Sequence, residues 1–105
     1  MRLLNFDVNA QLIRKDPNCD FTHIVAGTRG YLRARFAFSS EWDDCILVAQ
    51  FWRGDQEHAV LLQNGECEIP AEALAGRTFK VSVTGKRGDY RITTNKVLIR
   101  QEVSR

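Results

Sequence analysis

The chain has 105 residues, 44% of them hydrophobic and 27% charged, with a formal net charge of +2. That length holds one domain with its own core and excludes two, and no apolar run approaches the roughly 20 residues that cross a bilayer as a helix. The three cysteines, Cys19, Cys45 and Cys67, lie far apart and in odd number, which argues against a disulfide framework and for synthesis in a reducing cytoplasm.

At the N-terminus, Asp7 falls where a signal peptide would need its apolar centre, so export by that route is not expected. Asn5 to Val8 and Gln11 to Lys15 read as a strand pair or one long bent strand, ended by the turn residues Asp16-Pro17-Asn18. Phe21 to Ala26 reads as a loop or weak strand leading to Gly27 and Gly30. From Tyr31 to Phe38 the alternation is clean: Leu32, Ala34, Phe36 and Phe38 share the face expected in the core, and Tyr31, Arg33 and Arg35 share the other. Tyr and Arg are favoured at interfaces, which makes those three the candidate partner-contact residues.

The run Cys45 to Trp52 is apolar on both faces for most of its length, the pattern of a central strand covered on both sides. Arg53-Gly54-Asp55-Gln56 turns it back into Glu57 to Leu62 as a hairpin, and Asn64-Gly65 turns again into a short strand from Glu66 to Ile69. Pro70 cannot donate to a ladder but suits the first turn of a helix, so a single helical turn near residues 70–75 is expected, closed by Gly76. Phe79 to Thr84 alternates as a half-buried strand, Lys86-Arg87-Gly88-Asp89 turns it into Tyr90 to Ile92, and Lys96 to Val103 forms the last strand. About seven to nine short strands with turns every eight to twelve residues predict a single all-β domain over 1–105, a sandwich of immunoglobulin-like size. Phe36, Phe38, Leu47, Phe51, Val81 and Val83 are its expected core.

No glycine-rich phosphate loop, nucleophile elbow or metalloprotease helix occurs in the sequence, so an enzyme is not expected, and the carboxylate pairs Asp43/Asp44 and Glu66/Glu68 read as solvated turn neighbours. Cys19 and His23 with Cys67 or His58 do not show the ligand spacing of structural zinc, so neither metal nor cofactor is expected. Trp42 and Trp52 read as packing anchors; exposed, either would be a stacking platform for a saccharide. Two Arg-Gly-Asp tripeptides, at residues 53–55 and 87–89, fall at hairpin tips where turn chemistry alone asks for Gly and Asp. Residues 77–105 carry eight basic side chains (Arg77, Lys80, Lys86, Arg87, Arg91, Lys96, Arg100, Arg105) against Asp89 and Glu102, a net +6 that the remainder offsets with −4. The expectation is that these strands lie beside the acidic residues Asp43, Asp44, Asp55, Glu57, Glu66 and Glu68 in one sheet system, so a nucleic-acid partner is not expected.

The succession Phe36-Ala37-Phe38, Glu41-Trp42, the central strand to Phe51, Cys67-Glu68-Ile69-Pro70 with Glu72 and Leu74, Phe79 to Val83 with Gly85, and Thr93-Thr94-Asn95 resembles a family of small phage and prophage structural proteins. The order and spacing of these elements over about residues 30 to 100 are similar to the N-terminal β-sandwich of tail or baseplate components of phages of Gram-positive bacteria. The resemblance implies a virion structural module, made in the bacterial cytoplasm. It would bind other tail or baseplate proteins or associate with itself, through an exposed sheet edge or the Tyr31/Arg33/Arg35 face, and it brings no catalytic residues. The alternative is a carbohydrate-binding module for a bacterial surface polymer.

Overall fold

The computed structural model describes residues 1–103. Its strands are β1 (Arg2–Asn9), β2 (Leu12–Lys15), β3 (Leu32–Phe38), β4 (Ile46–Arg53), β5 (Gln56–Leu61), β6 (Glu66–Glu68), β7 (Thr78–Arg87), β8 (Tyr90–Thr93) and β9 (Val97–Arg100). They form an all-β sandwich. One sheet has the order β2-β1-β3-β6; the other runs β5-β4-β7-β8, with β9 also pairing β7. Two 3-10 turns, Ser40–Trp42 and Ala71–Leu74, are the helical elements among the described residues. The second follows Pro70, which stands in extended backbone just before it.

Alternation along each strand decides what is buried. Leu4, Phe6 and Val8 on β1, Leu32, Ala34 and Phe36 on β3, Ala49 and Phe51 on β4, and Val81 and Val83 on β7 enter the core between the sheets. Leu74 and Ala73 from the 3-10 turn, with Ile99, Ile69 and Phe79, complete it. Phe38 and Leu47 are partly buried against the same cluster. An aromatic file crosses the first sheet: Phe21, Phe6, Phe36, Phe38 and Trp42 follow one another with ring centroids 5.3–6.0 Å apart.

Two expectations change, and one left between loop and weak strand is decided. The N-terminal pair extends further than its pattern suggested, because β1 pairs in parallel with β3 from Arg2↔Leu32 to Val8↔Phe38 as well as antiparallel with β2. The segment from Phe21 to Ala26 is loop, joined to the sheets by one bridge between Val25 and Glu102. Arg2 holds its path by donating to the carbonyls of Asp20, Thr22 and His23. Finally, β4 is covered on one side only at its start: Ile46 is 66% exposed. Both hairpin tips behave as the turn chemistry asks. Gly54 and Gly88 each take φ +57 at the first central position, the left-handed backbone that a two-residue hairpin needs there.

Candidate functional site

β3 and β6 set the chemistry of the outer face of the four-stranded sheet. Arg33 lies opposite Glu68, and Arg35 opposite Glu66. Arg35 donates from Nε to Glu66 Oε2 at 3.0 Å, with its Nη2 2.9 Å from the same oxygen as an ion pair, while Arg33 Nε sits 3.5 Å from Oε1. The hydrogen bond from Arg35 holds the Glu66 carboxyl below its ordinary value against the opposing effect of desolvation. Tyr31, 49% exposed, precedes β3, and its carbonyl accepts from Arg2 N. The two arginines are thus brought together by a shared carboxylate, and Tyr31 stands free at the strand's start.

A cavity of about 250 Å³ opens on the same sheet, lined by Asn5, Phe6, Asp7, Asp16, Arg35 and Ala37. Asn5 Oδ1 is buried there without a hydrogen-bond partner. Cys19 sits behind it, its thiol accepting from Asn5 N at 3.4 Å. Cys67 is buried on β6, and desolvation pushes its thiol up to about 12, with Arg33 pulling the other way. Among the described residues no three His, Cys, Asp or Glu side chains converge as metal ligands. Cys19, His23, Cys67 and His58 are not brought together; His23 Nδ1 is instead 2.9 Å from Glu102 Oε2.

The tryptophans have different environments. Trp42 is 2% exposed, with Nε1 donating to Ala10 O at 2.8 Å, so it is a packing anchor with no face for a sugar. Trp52 is half-buried on the outer face of the five-stranded sheet. Its Nε1 donates to Ser82 Oγ at 2.9 Å and the Lys96 ammonium lies 3.7 Å from the ring centroid. Of the tripeptides, Arg87 is tied down, donating to Asp43 O and stacking on Tyr90 at 4.6 Å.

The edges of the sheets differ most. β2 has four residues, including Arg14 and Lys15, and is covered by Asn95, whose Oδ1 accepts from Ile13 N at 2.8 Å and whose N–H donates to Gln11 O. β6 has three residues, β8 and β9 four each. β5 has six, with no Lys and no Pro. Leu62 N donates to Leu47 O, and in an antiparallel ladder bonded pairs alternate with unbonded ones. Counting back along the register, His58 and Val60 bond to β4, while the N–H and C=O groups of Glu57, Ala59 and Leu61 point away from it. Beside this open edge, Leu61 is 57% exposed opposite Val48, next to Ile46. The sequence predicts an exposed sheet edge without a strand attached to it; the register identifies that edge as β5.

Comparison with protein-family models, curated proteins and solved structures finds no match to the chain.

Proposed function

We propose that the domain is a non-enzymatic structural module of a phage or prophage tail or baseplate, and that it assembles by adding β5 of one copy to β5 of another. The open edge of β5 carries this reading. Soluble sandwiches blunt their edges with short strands, lysines, prolines or coverings, and β2, β6, β8 and β9 follow that practice. β5 presents six residues without Lys or Pro, beside exposed Ile46 and Leu61. A two-fold antiparallel pairing centred on Ala59 sets Ala59 opposite its counterpart and Glu57 of one copy opposite Leu61 of the next, so no like charges meet directly across the new ladder. The resemblance of the sequence to phage tail and baseplate proteins is the ground for placing such an assembly in a virion.

Light scattering across a concentration series tests it, with Ala59→Pro as the diagnostic variant. The N–H of Ala59 points away from β4, so proline there removes no bond of the fold but blocks the edge. The native chain is expected to form a discrete oligomer and Ala59→Pro to remain a folded monomer. A native chain monomeric at every concentration, or an Ala59→Pro variant that associates as well as the native one, would refute the edge contact.

A further inference from the structure

The basic residues of the C-terminal strands gather on one face, without the acids expected to accompany them. The register puts Trp52 opposite Lys80, Lys80 opposite Leu98, Lys86 opposite Arg91 and Thr78 opposite Arg100. Opposed residues project to the same side of a sheet, and the alternate set, Phe51, Val81, Val83 and Ile99, fills the core. All the residues named first therefore face outward. Lys96, in the loop between β8 and β9, joins them by lying over the Trp52 ring. Lys80, Lys86, Arg91, Lys96 and Arg100 are all exposed.

Glu66 and Glu68, expected in the same sheet system, pair with β3 in the other sheet. Asp43 and Asp44 lie in the loop before β4, and Asp55 at a hairpin tip. Glu57, opposite Trp52, is the acid that the ladder places on this face. Among the described residues the ion pairs are Arg14–Asp7, His23–Glu102, Arg33–Glu66 and Arg35–Glu66, and none includes the five cations.

These five like charges lie along a strip whose length follows from β7. Thr78 to Lys86 is eight steps along the strand, about 26 Å at roughly 3.3 Å per step. The ground between the cations is neutral and already satisfied: Ser82 Oγ donates to Gln50 Oε1 at 2.9 Å, and Gln50 Nε2 donates to Thr84 Oγ1 at 3.0 Å. Trp52 is held by its bond to Ser82, and a face of its ring is covered by the exposed Lys96 ammonium.

We propose that this face binds single-stranded nucleic acid. The phosphates lie along Lys80, Lys86, Arg91 and Arg100, while a base stacks on Trp52 in place of Lys96, whose ammonium moves onto a neighbouring phosphate. A strip of repeated cations beside a fixed aromatic ring is the arrangement that small single-strand binders use. An unpaired base is needed to stack on Trp52, and a broad sheet face does not enter a duplex groove, which selects the single strand. An acidic protein matches the charge but gains nothing from the Trp52 ring. The proposal is independent of the β5 edge, which lies on the far side of β4.

Binding of a short labelled oligothymidylate to the full chain, read by anisotropy and by tryptophan quenching, tests it. Each phosphate neutralised on a single strand gives a log–log salt slope of about −0.7, so five contacts predict at most about −3.5, near a hundredfold loss of affinity between about 50 and 200 mM salt. Lys80→Glu with Lys96→Glu should cost at least tenfold, Trp52→Phe should keep most of the affinity, and Arg14→Glu on the opposite sheet should change nothing. Circular dichroism checks the fold of each. If the double variant does not fold, the salt slope and Trp52 quenching of the native chain decide. No binding at low salt, an equal loss with Arg14→Glu, or equal affinity for duplex DNA, heparin or polyglutamate would overturn the proposal.

Discussion

At the surface, Glu66 accepts a hydrogen bond from Arg35 and stands in ion-pair distance of both Arg35 and Arg33. Its folded-state value is held below the ordinary 4.5, mainly by the Arg35 hydrogen bond. A depressed carboxyl adds stability above its unfolded value, and that contribution is lost as pH falls from about 4.5 through the lower folded value. An NMR titration should therefore show the Glu66 carboxyl titrating below 4.5, and Arg35→Gln should move it back up; a Glu66 midpoint unchanged by that substitution would refute the pairing. Alternation alone put Arg33 and Arg35 on the outward face of β3. Their shared acceptor was not legible, because a ladder partner 31 residues away leaves no local signal. The burial of Trp42 was legible from its size and type; Lys96 over Trp52 was not, since it depends on a loop returning to β4.

Among the elements, β7 shows how a single residue can decide packing. Gly85 lies under the Trp42 ring: a Cβ built there would stand 2.8 Å from Trp42 Cε3 and 3.2 Å from Cys45 Cβ. Backbone and indole must approach closely for Trp42 to close that end of the sandwich. Gly85→Ala is expected to destabilise the fold by about 1–3 kcal/mol in urea unfolding. A change within about 0.3 kcal/mol would show that the ring has room to shift. The glycine stood out in sequence only as the end of an alternating run, and its reason lies 43 positions away in Trp42. Most strands were legible because alternation and Gly-Asp or Asn-Gly turns are local signals. The parallel pairing of β1 with β3 was not, and neither was the exposure of Ile46. An apolar run reads as doubly covered whether or not a second layer reaches it.

For the whole molecule, the sandwich separates what the strands carry. The four-stranded sheet pairs its own charges, with Arg33 and Arg35 on Glu66 and Arg14 near Asp7. The five-stranded sheet leaves its cations unanswered at one side and its β5 edge open at the other. Charge counts along the sequence showed the asymmetry but not its resolution. The sheet to which each short strand belongs is settled by core packing, not by composition, and β6 carries its two glutamates away from β7. On this account the open edge is the point of assembly, and amide hydrogen exchange measures it at the groups concerned. The Glu57, Ala59 and Leu61 amides should exchange freely in dilute solution and become protected as concentration rises, while His58 and Val60, bonded to β4, stay protected throughout. Free exchange of Glu57, Ala59 and Leu61 at every concentration would contradict it.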